Sequence, residues 1–408
     1  MDRQQAVADA RRRYADKNPA SRERFEAAQA ALPGGNTRTV LFHEPFPLGI
    51  VRGDGCRIWD ADGHEYVNLV GEYTAGLFGH SNPVILAAVR RALDGGLSLS
   101  GHTMVEGPFA RAVSARFPSM ELLRFTNSGT EAALLAARIA VRATGRRRLL
   151  LFDGAYHGSA TLFLPGSPDA ARVAWNDLDA VARLLGRPGH DIAAVFAEPF
   201  LGAGGVRPAA PGFLAAVTGL ARDHDVLFVL DEVQGLRNWS GGEQGRLGLT
   251  PDLTLLGKII GGGFPIGAVG GRADLLELTV AAMTPAYVTH AGTFNGHLAA
   301  AVAGTMTLRH LDEAAIARLN DSAVVLADQI LAGAAAAGVP AEVTRAGSIM
   351  NVHLARPEQL ADLHLALLLN GVYTTPRGMI NLSTALSPGD LDDIADAYET
   401  AFTQIRAA

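Results

Sequence analysis

Residues 122–144 read LLRFTNSGTEAALLAARIAVRAT, an apolar strand, a polar turn and then helical periodicity in direct succession. The pattern recurs downstream. DIAAVFAE (191–198) is followed by GFLAAVTGLARDHD (212–225), and VLFVLDE (226–232) by a glycine-rich stretch. Unbroken apolar strands alternating with amphipathic helices predict an α/β fold with a mainly parallel sheet covered on both faces. Ligands in such sheets sit beyond the carboxyl ends of the strands. The residues to read for chemistry are therefore Asn127 to Thr130, Asp153 to His157, Glu198, and Asp231 with Glu232.

Outward from this centre the pattern changes. NPVILAAVRRALDGG (82–96) has Pro83 at a first helical position and a glycine stop, which predicts an amphipathic helix. Before it, IVRGDGCRIWDADGHEYVNLV (50–70) alternates apolar and polar residues around Gly53-Asp54-Gly55 and Asp62-Gly63, the signature of a short antiparallel meander outside the main sheet. An N-terminal arm precedes the meander, with a helix expected from a cap at Ser21 to the Pro33-Gly34-Gly35 stop. From about Ala314 an Ala-rich helix leads to short strands, SIMNVHLA and MINLST, of a smaller α+β domain. The expected domains are 1–70 (arm and meander), 71–310 (large, ligand-binding) and 311–408 (small, C-terminal).

Composition narrows the function. The 408 residues carry 35 Lys plus Arg against 41 Asp plus Glu, a net charge of −6 with no long basic run, which argues against a nucleic-acid scaffold. Although 48% of the residues are apolar, charge, Gly or Pro cuts every run before membrane-spanning length, so no membrane association is expected. The N-terminal residues lack the apolar region of a secretory signal, and Cys56 is the only cysteine; both fit a cytoplasmic protein. The 12 histidines include no H-E-x-x-H, so no protein-supplied metal site is expected. Neither G-x-S-x-G nor a strand-linked G-x-G-x-x-G occurs.

Three stretches carry chemistry. In RFTNSGTEA (124–132), Ser128 and Glu131 have the spacing of a capping box, and the same turn offers amides, hydroxyls and a helix dipole to a phosphate; the pattern alone leaves both open. VLFVLDEVQ (226–234) delivers Asp231 and Glu232 to the sheet edge, either as loop-capping carboxylates or as functional acids, and the phosphate-loop lysine motif that an ATPase would need is missing. In DLTLLGKIIGGG (252–263), Lys258 lies among Leu255, Leu256, Ile259 and Ile260, as a snorkelling side chain or as a desolvated catalytic amine. Phosphate nest, strand-end carboxylate and apolar-flanked lysine together suit pyridoxal 5′-phosphate, which needs all three. Tyr156 would line the ring or substrate face.

On NSGTEA, FDGAYHG, AEP, LDEVQ, PDLTLLGKIIGGGFPIGAVGGR and GTFNGHLA the chain resembles the class III aminotransferases of fold type I, over most of its length. The resemblance implies a large domain with a seven-stranded sheet and a smaller α+β domain. It implies that Lys258 is the Schiff-base lysine and proton shuttle, that Asp231 pairs with the pyridine nitrogen and that Val233 packs on the ring. Ser128, Gly129 and Thr130 would hold the phosphate, with Tyr156, His157 and Glu198 around the cofactor. Thr293 would reach the neighbouring subunit's cofactor, which implies a homodimer with shared active sites.

Within the class, NPASRERFEAA, NTRTVLFHEPFPL, RGDGCRIWDADGH, EYTAGLFGHSNP and TTPRGM are similar to the β-phenylalanine aminotransferases, and GKIIGGG is shared with the glutamate-1-semialdehyde aminomutases. By that likeness Arg38 and Arg377 are substrate carboxylate binders, with Glu72 and Tyr73 near the pocket. DEVQGLRNWSGGEQ (231–244) is shorter than the family's usual segment and carries a Trp239 without a counterpart, which bears on substrate choice. The expected activity is transfer of an amino group from a β-amino acid, aromatic in class, to a keto acid such as 2-oxoglutarate or pyruvate. Two alternatives stand beside it: an aminomutase that moves the amino group within one molecule, and a cofactor-free binding homologue.

Overall fold

The computed structural model describes residues 3–282 and 287–406; the described residues form two compact units, one within 83–316 and the other made of 3–82 with 317–406. The sequence reading set joints at 70/71 and 310/311; the contacts place them at 82/83 and 316/317.

The 83–316 unit is built on a seven-stranded sheet in the order Leu122–Thr126, Gly267–Gly271, Leu253–Gly257, Leu227–Asp231, Ile192–Ala197, Arg148–Phe152, Ala170–Val173. Only Gly267–Gly271 runs antiparallel to its neighbours. Because side chains alternate along a strand, each strand feeds two cores. Leu149, Leu151, Phe196, Val229 and Leu255 pack against Ala132, Ala136 and Ile139 of the helix Gly129–Thr144. Leu150, Phe152, Val195, Phe228 and Leu230 pack on the other face against Val181, Leu185, Phe213 and Val217. Each such side chain contributes about 1.5–3 kcal/mol by leaving water, so the strand ends that carry the polar residues stand on a rigid floor. One glycine is dictated by that arrangement. A Cβ at Gly267 would lie 2.1 Å from the Ser128 carbonyl oxygen, so this strand can pass the 127–130 turn only without a side chain.

The other unit holds the expected meander, Ile50–Asp54, Arg57–Asp60 and Glu65–Asn68, which Val372–Tyr373 extends as a fourth, parallel strand. A second sheet joins Ala341–Ala346, Ile349–Leu354 and Met379–Asn381. Tyr14, Phe46, Ile58, Tyr66, Leu365 and Leu368 form a core here, and the Tyr14 hydroxyl donates to the Phe46 carbonyl at 2.9 Å.

The arm departs from the sequence reading. It contains two helices, Arg3–Lys17 and Pro19–Gln29, and Ser21 lies inside the second instead of capping it. The cap comes from Asp62 in the meander turn, which accepts the Ala20 amide at 2.7 Å and the Ser21 amide at 3.0 Å and hydroxyl at 2.8 Å. Burial opposes the ionised form of Asp62, and these donors outweigh it, holding its carboxyl below the usual range.

Candidate active site

Within the 83–316 unit, the polar ends of five strands meet at the carboxyl edge of the sheet. Ser128 caps the 16-residue helix that follows its strand, its hydroxyl accepting the Glu131 amide at 3.2 Å, while Glu131 accepts the Asn127 amide at 2.8 Å. The capping pattern is thus real, yet it spends only part of the helix end. Among the described residues the Gly129 and Thr130 amides meet no acceptor, and they face the positive end of the helix dipole.

Glycines bring the remaining loops to this point. A Cβ at Gly129 would come within 3.1 Å of a Val233 methyl, and one at Gly257 within 3.4 Å of the other methyl and 3.5 Å of the Gly129 nitrogen. A Cβ at Gly158 would strike the Thr130 hydroxyl oxygen at 2.4 Å. Ser128, Gly129, Thr130, Val233, the Tyr156–Gly158 loop and the chain entering Lys258 therefore converge at one place.

Asp231 ends its strand nearly buried. Its Oδ2 is 2.9 Å from Nδ1 of His157, and its Oδ1 accepts the Val233 amide at 3.0 Å. That pairing fixes both oxygens, with the His157 proton assigned to Nδ1 by the partner it faces. Nε2 of His157, also buried, meets no partner among the described residues. Glu198 follows the neighbouring strand and accepts the Tyr156 amide at 3.0 Å and the Gly202 amide at 3.1 Å. Burial pushes its carboxyl up to about 7, with Asp231 adding to the rise and His157 and the two amides opposing it. Tyr156 is half exposed beside these groups.

Lys258 stands one residue past the Leu253–Gly257 strand in the left-handed region, at φ 44°. A non-glycine residue held there costs on the order of 1–3 kcal/mol, and such strain collects at functional sites. Desolvation lowers the ammonium pKa, against the pull of Asp231 and Glu198. Flexible amine, paired carboxylate and open helix terminus supply what an aldehyde, a ring nitrogen and a phosphate ester require, so these residues fit pyridoxal phosphate.

Thr293 is exposed on a loop tied to the same turn, where the Asn127 amide group donates to Asn295 at 3.1 Å and Asn295 lies 3.2 Å from His290. No local signal in GTFNGHLA marks Asn295, whose contact is with a residue 168 positions away. Trp239 is half exposed, its carbonyl accepting the Gly242 amide at 3.0 Å, and Arg237 two residues earlier is fully buried.

The four residues expected at the substrate lie in the other unit and gather there. Arg38 Nη1 and Glu72 Oε2 form an ion pair at 2.6 Å, each side chain about half exposed. Tyr73 donates to the Val40 carbonyl at 3.2 Å. Burial raises its phenol pKa, while Arg377 and Arg38 oppose that, so both guanidinium groups bear on one hydroxyl. Glu72, Tyr73 and Thr74 are all left-handed, at φ 50°, 51° and 87°. No sequence signal announces three such residues in a row.

Comparison with known proteins agrees with this arrangement. Residues 42–174 and 167–397 match the family model of the class-III aminotransferases. The chain is 42% identical to the β-phenylalanine transaminase of Variovorax paradoxus, over 95% of this chain and 94% of that one. A crystal structure of a β-phenylalanine aminotransferase from that organism superimposes with a TM-score of 0.92 at 40% identity, covering 97% and 96%. A glutamate-1-semialdehyde 2,1-aminomutase of Sorangium cellulosum is 38% identical over 89% of this chain and 91% of its own. A transaminase solved with PLP bound gives a TM-score of 0.92 at 27% identity, covering 96% and 98%.

Proposed function

This chain belongs to the class-III aminotransferases, fold type I enzymes that use pyridoxal phosphate, and from that premise we propose that it takes the amino group from a β-amino acid, aromatic in class, and passes it to a keto acid such as 2-oxoglutarate or pyruvate. The observation that carries the donor is the 42% identity to a β-phenylalanine transaminase, which extends over 95% of the chain. Arg38 and Arg377 support it as two guanidinium groups converging on Tyr73, one for each substrate carboxylate.

The cofactor supplies an aldehyde and an electron-withdrawing ring. The protein's residues do the rest. Asp231, oriented by His157, keeps a proton on the ring nitrogen. Lys258, its ammonium pKa lowered by desolvation, would take the proton from the substrate carbon that bears nitrogen and deliver it to the carbon on the other side of that nitrogen. Gly129 and Thr130 amides with the Ser128 and Thr130 hydroxyls take the phosphate, Val233 packs on one ring face, and Tyr156 and Glu198 close the rim. Thr293 serves the cofactor of a second copy, so the working form is a homodimer. Among the described residues no helix is long and apolar enough to cross a membrane, and the single cysteine, its thiol pushed up by burial, suits a cytoplasmic setting.

The test is a titration of the cofactor-loaded protein with β-phenylalanine in the absence of keto acid. The visible absorption should disappear in one stoichiometric step and return on adding 2-oxoglutarate or pyruvate. An unchanged spectrum overturns the donor. Conversion of glutamate 1-semialdehyde with no acceptor present would establish the aminomutase reading, which the Sorangium relative supports.

A further inference from the structure

Glu232 follows Asp231 directly, but its side chain points to another set of contacts. Its amide donates to the Leu255 carbonyl at 2.9 Å, its carbonyl accepts the Leu236 amide at 3.3 Å, and Oε1 accepts the Gln244 amide at 2.7 Å. One residue thus ties the neighbouring strand, the turn Gly235–Asn238 and the helix Gly242–Leu247 together. The surrounding chain is shaped to its carboxyl group. A Cβ at Gly235 would fall 2.2 Å from Oε2 and one at Gly242 2.8 Å from Oε1, and Gly242 also needs φ +66°.

The hydrogen bonding is one-sided. Oε1 has its donor, while Oε2, fully buried, meets no partner among the described residues. A carboxylate stripped of water wants donors on both oxygens. A carboxylic acid accepts on its carbonyl oxygen, as Oε1 does, and puts a neutral hydroxyl at the bare position, which costs far less to bury than an unsolvated negative charge. The titratable groups carried by the packed elements are Asp231 on the same strand, Glu243 and Arg246 on the helix and Arg237 on the turn. Glu243 is itself engaged, with Arg246 at 2.6 Å and Asn238 at 3.2 Å.

We propose that Glu232 works as a neutral carboxylic acid, a positioning residue that clamps the 235–247 segment beneath the end of the strand and so holds Asp231 in register. Burial favours this protonated form, pushing the carboxyl up to about 8, with Glu243 and Asp231 adding and the Gln244 and Glu243 amides opposing. Ionisation at higher pH puts charge on the bare oxygen and loosens the clamp. The role assigned to Asp231 rests on the aminotransferase reading; the proton on Glu232 does not.

The direct measurement is an infrared difference spectrum, wild type minus Glu232→Gln, on the apoprotein at pH 6.5. A protonated-carboxyl stretch that shifts in D2O and vanishes above about pH 9 is expected, and its absence overturns the proposal. Should Glu232→Gln fail to fold, Glu198→Gln removes the other carboxyl raised by burial, and a band must remain in it. Hydrogen exchange then tests the clamp. In wild-type apoprotein the protection of 235–247 should fall at least tenfold between pH 7 and pH 9, and Glu232→Gln should hold it constant; the same fall in both sinks the clamp. In loaded protein, Glu232→Ala should shift the pH at which the cofactor absorption changes, and Glu232→Gln should restore it. Failure of that rescue removes Asp231 from the proposal even if the donor substrate stands.

Discussion

The two halves of the candidate machinery are built differently. Lys258, Asp231, His157 and Glu198 follow adjacent strands of one sheet and are largely buried, Asp231 held by His157 and Glu198 by the Tyr156 amide. Arg38, Glu72, Tyr73 and Arg377 lie on loops of the other unit, half exposed, held by an ion pair and a left-handed run of backbone. Groups that move protons gain from a dry, fixed setting where charge is costly and pKa values shift. Groups that select a substrate by its carboxylate can work in partial water, and their loops tolerate change.

The largest break in that comparison should come from Lys258→Ala. Loss of the proton-moving amine should lower turnover about a thousandfold or more, with the fold retained, since the exchange also relieves the φ 44° residue of a buried ammonium. Activity within tenfold of wild type, measured on refolded and cofactor-loaded protein, would sink the mechanism.

Protonation separates the halves next, because the signs are opposite. Glu198 has a folded pKa of about 7 against an ordinary 4.5. In that window the folded state binds the proton and the unfolded state does not, so stability falls as pH rises from 4.5 to 7, by about 3 kcal/mol. His43 and His364, whose rings meet at 4.7 Å in the other unit, are buried, and desolvation lowers both, His43 to about 4 and His364 well below its ordinary value. There the unfolded state binds the proton, so stability is lost as pH falls below 6.5. Segment-resolved hydrogen exchange should therefore show the 83–316 unit weakening toward alkali and the other unit toward acid. Glu198→Gln should lessen the first trend, of which Glu232 keeps its share, and leave the second unchanged; a change in both, or in neither, breaks the separation.

Much of the buried half was legible in sequence because its causes are local. Strand followed by turn followed by helix puts Ser128, Glu198 and Asp231 at strand ends, and apolar neighbours single out Lys258. What sequence did not reveal depends on contacts remote along the chain. Ser21 looked like a helix cap because its spacing is right, yet Asp62 takes that position from the meander turn. The Arg38–Glu72 pair joins residues 34 apart through a backbone that no local signal encodes. Glu232 was visible as a strand-end acid, but its clamp requires knowing where Gly235 and Gly242 return.

The substrate-side set gives a smaller expected effect. Arg377→Ala should raise KM for a carboxylated substrate about tenfold, since hydrogen bonds to a charged group contribute on the order of 1.5–3 kcal/mol, with kcat little altered. Glu72→Gln should act the other way on the substrate that Arg38 binds, lowering its KM a few-fold by leaving that guanidinium unopposed. Steady-state kinetics with a β-amino acid and with each keto acid decide which arginine serves which substrate. Unchanged KM for all of them would remove both assignments.

The smallest effect compares how each unit fastens a helix. Gly129–Thr144 is capped from within three residues, by Ser128 on the Glu131 amide. Pro19–Gln29 is capped across the fold, by Asp62 on Ala20 and Ser21. Loss of a cap costs about 1 kcal/mol in either case, but the consequences should differ in reach. Ser128→Ala removes a local bond from a helix already buried along Ala132, Ala136 and Ile139, so only its first turn should fray. Asp62→Ala detaches the meander turn from the arm, and protection should fall along all of Pro19–Gln29 and in the turn itself. Ser21→Ala, which keeps both amide bonds to Asp62, should cost less than Asp62→Ala in thermal melts. The reverse order would return the cap to Ser21 and make the arm as locally determined as the sheet.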